Sequence, residues 1–141
     1  MWSCISQLPK FNKSYNTTRY KFTRNKIRCI KFFKSWRILS SYLFADCHNF
    51  NKIEFAANSS LQIIEEGAFR QTYIEKISIP STVLKICKNA FIDCYNLKNV
   101  IIPMNSYLQT IEELAFYKSN IEQFYITSKV SEIGRRAFWK C

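Results

Sequence analysis

The chain has 141 residues, the size of one ordinary domain, and 48% of them are apolar, which is enough for a hydrophobic core. No apolar run is long enough for a membrane-spanning helix, and the first residues lack the basic start and apolar stretch of a secretory signal. The formal charge of +11 is unevenly placed, because residues 1–45 carry ten Lys and Arg and no acid.

The first segment in chain order is residues 1–26, predicted to be an irregular basic arm or a degenerate repeat. Its charge favours a polyanion partner, such as nucleic acid or an anionic surface. Such binding would weaken steeply between about 50 and 200 mM salt. An alternative explanation for the positive charge is the base composition of the genome, since the abundant Lys, Asn, Ile, Phe and Tyr all have AT-rich codons.

A repeat organises residues 27–141, and a phenylalanine usually preceded by alanine marks each copy. Successive marker phenylalanines are separated by 25, 22, 25 and 22 residues. An aliphatic residue lies five positions before each marker, and we assign both columns to the core. The predicted core residues are Phe44, Phe69, Phe91, Phe116 and Phe138, with Ile64, Ile86, Ile111 and Ile133.

Five or six residues after each marker, a second block has apolar residues at its first, fourth and sixth positions, as in Ile74, Ile77 and Ile79. Alternation at the end of this block predicts a strand with one buried face. The segment around the Phe is predicted to be one helical turn. A unit of 23–24 residues cannot bury its own apolar side, so about five repeats are expected to stack into a solenoid that forms a parallel sheet on one side.

The clearest copy, "VLKICKNAFIDCYNLKNVIIP" at 83–103, is similar to the leucine-rich repeat of the BspA-like surface antigens. The resemblance covers about residues 27–141. It implies a leucine-rich-repeat solenoid, mostly β with short helical turns, that binds proteins in adhesion or host recognition at the cell surface. It implies no catalytic residue, cofactor or small-molecule substrate.

The chain departs from the family pattern in three ways. The usual glycine after the aliphatic column is present only as Gly134, and the prolines are missing after Phe55 and Ile126. The sequence also stops at Cys141 in mid-repeat without a polar cap. An uncapped apolar end invites self-association. This ending favours a fragment, a truncated gene model or part of a larger assembly, and a degenerate fragment without independent activity is a further alternative.

Strand residues that flank the buried fourth position are expected to face outward and to carry the ligand site. Ile101 and Tyr125 would form an exposed apolar patch, or would pack against a missing flanking element. The candidate ligand-facing residues are Lys31, Lys52, Glu54, Lys76, Ser78, Asn99, Ile101, Gln123 and Tyr125.

The remaining reactive side chains favour structural roles. Cys47, Cys94 and Cys141 follow one another at intervals of 47 residues, so they share one column, with neighbours two repeats and about 10 Å apart, and cannot bridge one another. They are predicted to be small buried residues. His48 has no second histidine or C-x-x-C motif beside it, which argues against metal binding. The recurring pairs Glu65/Glu66 and Glu112/Glu113 favour a solvated turn.

Overall fold

The structure is a computed structural model that describes residues 19–23, 26–32 and 36–141, the first two ranges as strands only. Ten strands occur in the described residues, and none of these residues is helical. The strands are β1 Arg19–Thr23, β2 Lys26–Phe32, β3 Ile38–Leu39, β4 Lys52–Phe55, β5 Ile63–Ile64, β6 Lys76–Ser78, β7 Lys85–Ile86, β8 Asn99–Ile101, β9 Thr110–Ile111 and β10 Glu132–Ile133.

The predicted sheet is present, and we call it the long-strand sheet. Its order is β1-β2-β4-β6-β8. All neighbours in it are parallel except β1 and β2, which pair antiparallel. β1 lies within residues 1–26, the segment predicted to be a basic arm or a degenerate repeat, so part of this segment is a regular strand.

A second parallel sheet, with the order β10-β9-β7-β5-β3, lies at the aliphatic columns and was not predicted. Each of its strands has only two residues, as in Lys85–Ile86. Segments this short show no alternation in the sequence. They pair because the solenoid stacks equivalent residues in register, as Ile64 beside Ile86 and Ile86 beside Ile111.

The segment around each marker Phe is a run of hydrogen-bonded turns, so the helical turn predicted from sequence is wrong. Successive backbone N–H groups alternate between an acceptor in the same repeat and an acceptor in the next one. The N–H of Arg70 donates to the Gly67 carbonyl at 3.0 Å, while the N–H of Phe69 donates to the Ala90 carbonyl at 2.8 Å. In each copy the residues two before and two after the Phe have positive φ, between 54° and 60°. Such left-handed residues interrupt a right-handed helix.

The core is a continuous stack of phenylalanine rings along the solenoid axis. The centroid distances are 5.5 Å from Phe44 to Phe69, 5.0 Å from there to Phe91, 5.0 Å onward to Phe116 and 5.2 Å to Phe138. The rings are tilted by 17° or less from parallel. The first four rings are buried, as are Ile64, Ile86 and Ile111.

Two of the predicted core residues are not fully buried. Ile133 is 48% exposed, and Phe138 is only partly buried against the core. The physical reason is position, because β10 is the edge strand of the second sheet and no described strand covers its outer side.

Gly67 occupies one of the left-handed positions, with φ of +60°, beneath the ring of Tyr42. A Cβ added at Gly67 would fall 2.4 Å from Tyr42 Cε1. We therefore expect Gly67→Ala to lower the free energy of unfolding by about 1–2 kcal/mol, because alanine disfavours this backbone and the ring must move. Urea denaturation measures the loss. The matched control is Asn89→Gly at the equivalent site one repeat later, expected to be nearly neutral; an unchanged midpoint for Gly67→Ala contradicts the prediction.

Candidate ligand-binding surface

The outward face of the long-strand sheet carries the candidate site. The strand register aligns one column of outward positions, the residues directly before the buried fourth position of each block: Cys29, Lys52, Lys76, Asn99 and Gln123. A second column lies directly after that buried position, where Lys31 pairs with Glu54 and Ser78 pairs with Ile101. The side chains of Cys29 and Lys31 lie outside the described residues.

The half of this face near β4 and β6 is charged. Lys52 Nζ lies 2.7 Å from Glu54 Oε1, so this pair is internally neutralised. Lys76 is exposed and forms no ion pair with any residue in 36–141. Lys76 is therefore a cation of this half that no carboxylate of residues 36–141 neutralises.

The other half of the face is apolar, around Ile101 and Tyr125. Ile101 is 42% exposed and Tyr125 is 73% exposed. The Tyr125 hydroxyl donates a hydrogen bond to Gln123 Oε1 at 3.2 Å, which restrains the ring beside the amide column. Exposed aromatic and aliphatic side chains beside polar ones are typical of protein-binding patches.

Sequence reasoning missed two exposed side chains at the corner that follows β8. Met104 is 93% exposed, and Tyr107 is 53% exposed with Lys129 Nζ 3.9 Å from its ring centroid. Neither residue belongs to a recurring apolar column. The signal that indicates them is a large apolar residue directly after Pro103, where the strand has already ended.

The carboxylate pairs connect neighbouring repeats, which goes beyond the solvated turn predicted for them. Glu65 Oε2 accepts hydrogen bonds from the N–H and hydroxyl of Ser41, at 2.8 and 3.0 Å. Glu112 accepts from the Lys88 N–H at 2.8 Å and pairs with Lys85 Nζ at 2.6 Å. Partial burial would raise the pKa of Glu112, but these two donors together lower it below its ordinary value.

Side chains three residues after the marker phenylalanines donate hydrogen bonds to backbone carbonyl groups. Phe69 O accepts from Thr72 Oγ1 at 2.9 Å and from Cys94 Sγ at 3.0 Å. Cys94 is fully buried, and burial raises the pKa of its thiol to about 11, so it stays protonated as a donor. Two repeats later Phe116 O accepts in the same way from Ser119 and from Cys141.

The cysteines depart from prediction at two positions. Cys47 is buried as expected but is disulfide-bonded, with a partner outside the described side chains. Cys141 is exposed because no described repeat lies over it. Cys87, Cys94 and Cys141 are free thiols. Burial raises the pKa of Cys87 to about 11, which makes it a poor nucleophile.

The other chemically reactive side chains of the described residues lie apart from one another. His48 is exposed, with its ring 5.3 Å from that of Tyr73. In the described part of the chain no three His, Cys, Asp or Glu side chains gather in a metal-binding group. No helix among these residues could span a bilayer. The side chains of the basic arm, residues 1–26, lie outside the described residues, and its predicted polyanion site stays a prediction.

A family model for the BspA-type leucine-rich-repeat region matches residues 16–141 in six copies. The match begins before residue 27 and therefore covers the residues of β1. The comparison with curated proteins gives no match.

Three solved structures are similar to this chain. The pneumococcal vaccine antigen PcpA is 25% identical, with a TM-score of 0.78 over 82% of this chain and 28% of that one. A leucine-rich-repeat protein from Bacteroides ovatus is 22% identical, with a TM-score of 0.67 over 91% and 38%. A leucine-rich cell surface protein from Faecalibacterium prausnitzii is 22% identical, with a TM-score of 0.60 over 82% and 37%.

These structures confirm the predicted solenoid fold. The last two show the fold alone, and this chain spans less than half the length of each of the three.

Proposed function

Because this chain belongs to the BspA-type leucine-rich-repeat family, we propose that it is a non-catalytic protein-binding module for recognition or adhesion at a cell surface. Leucine-rich repeats generally mediate protein interactions, and solenoids of this kind are typically scaffolds without catalysis. The similar structure at 25% identity is named as a pneumococcal vaccine antigen, which supports the location.

The observation that carries the proposal is the exposed apolar patch beside an ordered polar column on the long-strand sheet. The core columns repeat, whereas the outward column changes from Lys52 and Lys76 to Asn99 and Gln123. In the proposed mechanism, the rigid hydrogen-bonded strands hold side chains of different chemistry at a fixed spacing on the outward face of the sheet. The ligand then needs an apolar group for Ile101 and Tyr125, and an acidic group for Lys76.

The test uses native cells that carry this protein with a photo-cross-linking residue at position 101 or 125. A membrane-impermeant amine reagent first labels intact cells, and irradiation follows. We expect the protein to be labelled before lysis and to form a cross-linked protein adduct from either position.

The matched control places the same residue at Leu84, which is exposed directly before β7 and lies outside the patch. Labelling only after lysis contradicts the surface location. Equal adducts from positions 84, 101 and 125 contradict the assignment of the patch.

A further inference from the structure

A cluster of aromatic and cationic side chains lies on the turns of the last two repeats, separate from the strand surface. We call it the turn-face cluster. The ring centroids of Tyr117 and Trp139 lie 5.8 Å apart, edge to face. Arg136 Cζ lies 4.6 Å from the Trp139 centroid, Lys140 Nζ 5.4 Å from the same ring, and Lys118 Nζ 5.3 Å from the Tyr117 ring.

The backbone holds these side chains in place. The N–H of Lys118 donates to the Trp139 carbonyl at 3.0 Å, and the N–H of Trp139 donates to the Arg136 carbonyl at 3.1 Å. Lys118, Arg136 and Lys140 all have φ near +55° to +60°. The cations are therefore attached to a hydrogen-bonded turn that recurs in every repeat.

The cluster has an unbalanced positive charge. Lys118 lies 4.0 Å from Asp93 Oδ1, at the limit of an ion pair. Within residues 36–141 neither Arg136 nor Lys140 forms an ion pair, and the neighbouring Arg135 is exposed. Trp139 is 47% exposed, so its apolar surface lies beside these free cations.

We propose that the turn-face cluster is a second protein-contact surface that binds an acidic segment of a partner protein, an inference that rests on the protein-binding role proposed above. Trp, Tyr and Arg are the residues most enriched at binding hot spots. A guanidinium stacked over an indole keeps its N–H edge available for bidentate bonds to a carboxylate. The same stacking covers the Trp139 face, which disfavours a nucleic acid that would stack its bases there.

The test titrates the protein with a fluorescein-labelled oligoglutamate peptide that contains one leucine, and follows fluorescence anisotropy. The variant Arg136→Asn/Lys140→Asn removes two charges with a residue that tolerates the left-handed backbone. We expect it to weaken peptide binding about tenfold, from the loss of two partly exposed ion pairs. The matched control Arg37→Asn/Arg70→Asn removes two exposed charges that lie outside both the turn-face cluster and the candidate strand surface, and it is expected to leave binding within about twofold of wild type.

Equal weakening by both double variants would show dependence on net charge and overturn the proposal. So would an absence of peptide binding, or binding to heparin or single-stranded DNA but not to the peptide. A protein that keeps its cross-links from positions 101 and 125 but does not bind the peptide refutes the turn-face cluster alone. Loss of those cross-links with intact peptide binding refutes the strand surface instead.

Discussion

Replacing Phe91 with alanine is expected to lower the free energy of unfolding by about 3–5 kcal/mol. The Phe91 ring is fully buried between Phe69 and Phe116, with a centroid distance of 5.0 Å on each side. Backbone hydrogen bonds fix the spacing on both sides, since Phe69 N–H donates to the Ala90 carbonyl and Phe91 N–H donates to Ala115. The repeats cannot move together to fill the space, so a cavity remains in the middle of the stack.

Thermal denaturation followed by circular dichroism measures this loss, expected as a decrease in melting temperature of about 10 °C or more. The matched control is Phe138→Ala, which removes the same ring from the partly exposed end of the stack and should cost clearly less. A melting temperature for Phe91→Ala that stays within about 2 °C of wild type contradicts the prediction.

Replacing Ala90 with leucine is expected to lower the free energy of unfolding by about 1–3 kcal/mol or more, because it overfills the core. Ala90 is fully buried in a column with Ala68 and Ala115, also fully buried. Its carbonyl accepts from Phe69 at 2.8 Å, and its N–H donates to Cys87 at 3.2 Å. A larger side chain must therefore either break these bonds or push the phenylalanine rings apart.

Urea denaturation measures the effect of Ala90→Leu, and Ile92→Leu provides the control, since it changes shape without adding volume at a partly buried site two residues away. We expect the control to cost less than about 1.5 kcal/mol. A variant at Ala90 as stable as the control would mean that the spacing between repeats is adjustable, which contradicts the rigid display proposed for the strand surface.

The repeat explains why much of the fold was predictable. The marker phenylalanines recur in the sequence, and they form one stack in the structure. The outward column of Lys52, Lys76, Asn99 and Gln123 follows from strand alternation, and the strands align these residues. Both features depend only on identical units stacking in register.

Some features could not be predicted, because they depend on contacts between neighbouring repeats. The left-handed positions are occupied by residues as different as Tyr42, Asn89 and Leu114, and glycine occupies just one of those in residues 36–141, Gly67, so glycine does not mark them in the sequence. Cys94, Thr72 and Ser119 occupy equivalent positions and all donate hydrogen bonds to phenylalanine carbonyl groups. Because this role requires a donor and not an apolar side chain, the apolar periodicity of the sequence does not indicate it. The turn-face cluster likewise requires Tyr117 and Trp139, 22 residues apart, to meet edge to face.

The sequence by itself determined the class of architecture, the inward columns and the strand face that points outward, because apolar periodicity is a local property of each repeat. The tertiary structure decided the second sheet, the turns in place of helices, the exposure of Ile133 and the gathering of cations around Trp139. These features depend on which residues of the neighbouring repeat contact each side chain. The sequence of a single repeat does not specify those contacts.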